Sequence, residues 1–323
     1  MSLDKTTSAV LAAGAALTAV LAAPPATASA APEPGGMTWA VRPAGPQGPN
    51  GRDYFVYTVA PGQVVRDTVA ITNLGPEPQT FRVYATDAFN TADGSFALLT
   101  ADRNATGVGR WVRFATGSYR VGAGRTVQVP FTLTVPRDAT PGDHGGGIVA
   151  SVAQQQTTAR GQRVNVDRRV AARIYLRAAG PVTPALQISA LRAAYPAPLL
   201  GGGRMKVTYL VRNTGNVRVT ALARVSAQGP FGLPLGGRVT RRIPELLPGN
   251  GYAFTEHLGG VLPAGRLTTS VRISPTDPQN GAPVAARPVT RRSSLWSIPW
   301  LPLAAFVLVA AFLVRRRLAG KRR

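Results

Sequence analysis

Between residues 37 and 275, apolar and polar side chains alternate with a period of two, and each run is cut short by Gly, Pro, Asn or Asp. A strand sends successive side chains to opposite faces, so this pattern builds half-buried strands. Val64–Asn73 (VVRDTVAITN), Gln79–Asp87 (QTFRVYATD), Arg125–Val135 (RTVQVPFTLTV) and Val166–Ala179 (VDRRVAARIYLRAA) carry it, with Gly62, Gly75-Pro76, Asp93-Gly94 and Pro141-Gly142 between them. Short strands and turn signals at this spacing predict an all-β chain of antiparallel, immunoglobulin-like sandwiches. Outside the two ends, no window carries an amphipathic helix of three turns.

The pattern is duplicated. Val69–Gly75 (VAITNLG) and Tyr209–Gly215 (YLVRNTG) each end a strand on Asn and lead into another β run. Asn and Gly tolerate the left-handed backbone of a tight turn. Pro141-Gly142 and Pro263-Ala264-Gly265 recur late in each half. Two sandwiches are therefore expected, over 37–181 and 182–275. The Pro-rich, basic stretch 276–294 reads as a linker.

The ends read as addresses. Lys5, the apolar run Ala9–Ala23 and Ala28-Ser29-Ala30 predict a signal peptide over 1–30, cleaved after Ala30 or Ala28. Leu295–Val314 is 20 residues without a charge, followed by six cations from Arg315 to Arg323. That length suits a transmembrane helix, with Trp296 and Trp300 at the outer interface and the basic tail 315–323 in the cytoplasm. The expected location is a cell membrane, single-pass, with the bulk of the chain outside. No LPxTG-like pentapeptide stands upstream to make the tail a sortase signal.

Charge and composition narrow the function. The segment 31–293 holds 30 basic and 13 acidic residues, a net +17. A cationic ectodomain favours anionic envelope polymers. The cations are scattered through strands rather than clustered with aromatics, so no nucleic-acid partner is expected. Of the 37 cations in the whole chain, 34 are Arg, as in GC-rich coding. With no Cys and two His, thiol chemistry is excluded and multi-histidine metal chemistry nearly so. No cofactor is expected.

An ordered set of motifs adds a resemblance. Tyr54-Phe55, Pro61-Gly62-Gln63, Ile71-Thr72-Asn73, Thr86–Ser95 (TDAFNTADGS) and Gly142–Ile148 (GDHGGGI) follow one another at approximately the expected spacing. Over residues 37–155 the chain resembles the peptidoglycan-binding domain of the WxL-interacting protein family of Gram-positive cell-surface proteins. Its Arg-rich composition suggests an actinobacterial branch. The resemblance implies that the first domain binds peptidoglycan and that the second docks another envelope protein. The second half, however, shows only generic sandwich features.

Several individual residues admit a functional role beside an ordinary structural one. His144-Gly145-Gly146-Gly147 looks like an esterase oxyanion loop, but no G-x-S-x-G nucleophile elbow exists to serve it. A Gly-rich strand start approached closely by other backbone explains it as well. Without a triad, a metal-ligand cluster or paired carboxylates, the chain reads as a non-enzyme. Asp87, Asn90 and Asp93 form an oxygen-rich loop that suits calcium, sugar hydroxyls or a plain turn, and no metal is assigned. Trp111 is expected in the core. Of Tyr54 and Tyr57, on opposite faces, one is expected to be exposed. Tyr54, Asp87, Asn90, Asp93, Asp143 and His144 are the candidate ligand-binding residues. Glu256-His257 carries nothing further, and Gln154–Gln162 reads as a long hairpin tip.

Overall fold

The computed structural model describes residues 38–45, 47–157 and 162–320. The expected signal peptide, Lys321–Arg323 and part of the Gln154–Gln162 tip lie outside them.

The alternating runs form the expected strands. In chain order they are β1 (Trp39–Gly45), β2 (Gly48–Pro49), β3 (Phe55–Val59), β4 (Val64–Asn73), β5 (Gln79–Asn90) and β6 (Phe96–Leu98). A single helical turn, α1 (Val108–Trp111), precedes β7 (Val112–Phe114), β8 (Ser118–Val121), β9 (Thr126–Thr134), β10 (Gly142–Thr157) and β11 (Arg163–Ala178). One sheet has the order β2-β1-β4-β9-β7; the facing sheet runs β3-β11-β10-β5-β6, with β8 also on β5. Their pairings are antiparallel with one exception: β3 runs parallel to β11, Phe55–Val59 beside Ile174–Ala178. Phe55, Ile71, Phe81, Leu133, Ile148 and Ile174 fill the space between the sheets. Each such side chain contributes about 1.5–3 kcal/mol by leaving water. Trp39 ties the layers together, its indole N–H donating to the Ala150 carbonyl at 3.1 Å.

The second sandwich contains β12 (Leu186–Ala194), β13 (Gly203–Asn213), β14 (Val219–Gln228), β15 (Val239–Leu246), β16 (Gly251–Val261), β17 (Gly265–Thr276) and β18 (Val289–Ser297). Its sheets are β12-β13-β16 and β15-β14-β17-β18. The duplication seen in the sequence is a duplication of hydrogen bonds. Asn73 and Asn213 are both buried, and each accepts from the amide two residues on, Gly75 and Gly215, at 3.0 Å. Each donates to the carbonyl four residues on, Glu77 at 2.7 Å and Val217 at 2.8 Å. Each also reaches across the fold, to Val121 at 3.1 Å and Leu246 at 3.0 Å. The Asn is a clasp for the turn rather than a provider of left-handed backbone.

Two expectations at the C-terminal end are corrected. The linker expected over 276–294 gives way to β18, which lies on β17 with Val289 opposite Ile273 and Ser297 opposite Gly265. Arg291 anchors it to the other sheet, donating to the Ile188 carbonyl at 2.7 Å. Nor is Leu295–Val314 one span. Its first three residues complete β18, where Leu295 packs on the core and Ser297 is buried. The helix α2 runs Trp300–Gly320, and the 15 residues before Arg315 cover about 22 Å at 1.5 Å each, against a hydrocarbon core of roughly 30 Å. No helix among the described residues is long and apolar enough to cross a membrane.

Candidate binding groove at the domain junction

The sandwiches meet where β10 begins. Gly142 stands at φ +117°, and a Cβ there would lie 2.1 Å from the Asn216 carbonyl oxygen. The Asp143 amide donates to that oxygen at 2.7 Å. The Asn216 side chain donates back to the Pro141 and Pro181 carbonyls at 3.0 and 2.8 Å, and accepts from the Thr183 amide at 2.6 Å. Only glycine permits so close an approach with this backbone.

A chain of charges continues the junction. The Asp143 carboxylate, 6% exposed, accepts from Arg177 at 2.6 and 2.8 Å and from the Arg218 amide at 2.9 Å. The Arg218 guanidinium turns to Glu245 at 3.0 Å and lies 3.9 Å from the centre of the Tyr175 ring. The Tyr175 hydroxyl donates to the second Glu245 oxygen at 3.1 Å. Burial pushes the Tyr175 pKa up and the neighbouring Glu245 adds to it; the bond to Asp143 holds Arg177 above its usual value. Pairing of this kind is what makes buried charge tolerable.

Beside this chain a groove of about 680 Å3 is lined by Thr106, Arg110, Arg113, Asp138, Thr140 and His144, with Trp111 against it. It shares Thr106, Gly107, Thr140 and His144 with a second hollow of about 320 Å3 that reaches Asp87, Asp143 and, from the other sandwich, Asn216 and Asn250. The wall is shaped by α1. The Asp87 carboxylate accepts from the amides of Thr106, Gly107 and Gly109 at 2.7, 2.8 and 2.7 Å, gathering the free N–H groups at the start of that turn. The turn sits close because its neighbours are small. A Cβ on Gly146 would meet the Thr86 carbonyl oxygen at 2.8 Å and Val108 at 3.0 Å, and one on Gly145 would meet Leu247 at 3.2 Å. The His-Gly-Gly-Gly run thus makes room for α1 and the second sandwich. His144 donates from Nε2 to the Thr140 carbonyl at 2.8 Å, and its ring centre lies 4.8 Å from that of Trp111. The hydroxyl, guanidinium and imidazole groups of this wall, backed by the buried Trp111 indole, suit a polyhydroxylated chain bearing amide or carboxylate groups.

Three of the six candidate residues meet here: Asp87, Asp143 and His144. Asn90 instead bridges the sandwiches, donating to the Glu245 carbonyl at 2.8 Å and accepting from the Leu247 amide at 2.9 Å. Asp93 closes its own hairpin through Thr91 and Ser95, and the Thr91 bond foremost holds its pKa below the usual carboxylate value. The carboxylates of Asp87 and Asp93 therefore serve different turns, and no group of three or more metal-ligating side chains occurs among the described residues. Tyr54 is exposed and lies edge-on to Tyr175, with ring centres 5.3 Å apart, and does not line the groove. Tyr57 is the half-buried partner, bonded to Asp67 at 2.7 Å. Trp111 is in the core as expected. Sequence reasoning missed Arg110, Arg113, Thr140, Arg218 and Glu245. Scattered Arg in strands carries no marker of which members converge, although Asn213–Gly215, just before Arg218, already stood out.

No family model matches the chain, and no curated protein matches it. Among solved structures it is similar to a chaperone–tip adhesin complex of CFA/I fimbriae, at 9% identity and a TM-score of 0.40, covering 81% of this chain and 99% of that one. It is similar to the class 5 fimbriae chaperone CfaA at 10% identity and a TM-score of 0.38, covering 81% of this chain and 100% of that one. The Pseudomonas aeruginosa CupB2 chaperone matches at 11% identity and a TM-score of 0.30, over 76% of this chain and 99% of that one.

Proposed function

We propose that the chain is a binding protein of a Gram-positive cell envelope, holding peptidoglycan in the junction groove while α2 keeps it at the membrane. The observation that carries this reading is the groove itself, where Arg110, Arg113, Thr140 and His144 line a wall backed by the buried Trp111. Hydroxyl, guanidinium and imidazole groups match the hydroxyls, amides and carboxylates of glycan strands and stem peptides. The function is adhesion, and no chemical step is assigned to it.

In this reading the paired buried charges hold the second sandwich as an arm on which another envelope protein docks. The α2 side chains support the membrane half: Phe306, Leu308 and Phe312 are 70, 71 and 63% exposed, ahead of Arg315–Arg317. Apolar side chains left this open favour lipid, with the cations at the headgroups. Wall contact and membrane contact on one chain then raise each other's effective concentration.

Titration of the full chain with soluble muropeptides, followed by calorimetry, tests the groove. Saturable binding that Thr106→Trp abolishes supports it. Binding that survives this filling of the groove places the ligand elsewhere.

A further inference from the structure

Four loops come together at one end of the second sandwich, and it is the end from which α2 departs. The Tyr195 hydroxyl bonds to the Val261 carbonyl, and the Gly237 amide donates to Gly259 at 2.9 Å. A Cβ on Gly236 would touch Val261 at 2.8 Å, and one on Gly229 would lie 3.8 Å from Ala264. Ser297, the last residue of β18, pairs with Gly265, and the Trp296 ring comes within 3.8 Å of where a Cβ on Gly265 would stand.

The tips of these loops are apolar and bare. Leu199 and Leu200 are 72 and 71% exposed, Trp296 is 81% exposed, and Leu233 and Leu262 are also open. Phe231 is fully exposed and takes φ +56°, the only non-glycine at positive φ among the described residues. A left-handed backbone is costly for a residue with a Cβ, so this turn spends energy to hold an aromatic ring in water. Monomeric proteins seldom gather exposed apolar side chains on one face without a partner for them.

Charge identifies the partner. Segments 195–206, 228–238, 258–268 and 294–300 contain no Asp or Glu, while Arg204, Lys206, Arg238 and Arg266 stand exposed among them. Apolar tips inside a ring of cations, with Trp296 and Trp300 beside them, match the acyl boundary and anionic headgroups of a bilayer.

We propose that this end of the second sandwich is a membrane-docking face, with Phe231, Leu199, Leu200 and Leu262 inserted at the headgroup boundary of anionic lipid. It rests on the reading that α2 enters lipid. It adds that the sandwich is seated on the bilayer rather than swinging from a tether, so the groove is held at a fixed height.

The chain has no Cys, so a single introduced thiol can be labelled selectively. Full-length Phe231→Cys, Phe306→Cys and Leu74→Cys, each carrying an environment-sensitive fluorophore, are bound to phosphatidylglycerol–phosphatidylcholine vesicles with brominated acyl chains. The expected result is a blue shift and loss of most emission at 231 and 306, no change at 74, and recovery of the 231 signal in vesicles of phosphatidylcholine alone. Quenching at 306 with an unshifted probe at 231 overturns the docking face and leaves membrane attachment standing. Unquenched probes at both positions overturn both.

Discussion

Arg218 of the second sandwich lies over the Tyr175 ring of the first, its guanidinium carbon 3.9 Å from the ring centre, while both side chains bond the same Glu245 carboxylate. This contact and the bond from the Arg218 amide to Asp143 tie the two sandwiches to each other. The smaller hollow, which takes Asn216 and Asn250 from the second sandwich, has its shape only while they stay together.

Arg218→Ala is expected to cost about 1–3 kcal/mol, because it removes the guanidinium from the Glu245 carboxylate and from the Tyr175 ring, while Asp143 keeps Arg177 and the residue-218 amide. Arg218→Lys restores little, since an ammonium neither stacks on the ring nor forks. Calorimetry checks both: one transition in the parent should split into two. A single transition at an unchanged temperature would mean that the junction gains nothing from Arg218.

Gly142→Ala tests the same junction through the backbone. At φ +117° with the Asn216 oxygen 2.1 Å from the new Cβ, it is expected to cost well over about 1 kcal/mol. Gly124→Ala, at φ +64° with open space around it, isolates the cost of the left-handed backbone alone. Equal losses in urea unfolding would deny the close approach any role.

Asn73 and Asn213 make the same bonds in the two halves, so their removal should look alike. Each Asn→Ala leaves buried carbonyls and an amide unpaired, and a loss of roughly 1–3 kcal/mol for each such group is expected. The comparison is made by denaturant midpoint. A large loss at one position with none at the other would break the equivalence.

The strands and the duplication were legible because period-two alternation is dictated by the pleat. Asn73 and Asn213 were found for an incomplete reason: the turn was visible, but the side-chain clasp depends on carbonyls at Val121 and Leu246, far along the chain. β18 was hidden because VTRRSSLWS presents most of its side chains to solvent, so its edge position strips away the apolar half of the alternation. The groove was half legible. Asp143 and His144 sit in a Gly-rich motif, whereas Arg110 and Arg113 reach the groove from a one-turn helix and the three-residue strand after it, both too short to leave a periodic trace.

Acid should act through Asp67. Burial works to raise its pKa, but hydrogen bonds from Arg52 and Tyr57 outweigh it and hold the carboxyl below its ordinary value of 3.8. The folded pKa is therefore depressed, so the stabilisation is complete above about pH 4 and fades as pH falls through the folded value. Asp67→Asn should lower stability at neutral pH and flatten the acid limb of the stability curve. A variant whose acid limb matches the parent's would exclude Asp67 as a contributor.

The most direct measurement is co-sedimentation of the full chain with insoluble peptidoglycan over a salt series, with and without attached anionic polymers, comparing the parent with Thr106→Trp. This substitution fills the groove and leaves the charge unchanged. Recognition in the groove predicts that the parent pellets with little dependence on salt or attached polymers, while the variant stays in solution. Equal pelleting of both proteins, released by moderate salt, would show that net positive charge is the whole effect and would contradict a specific wall-binding site.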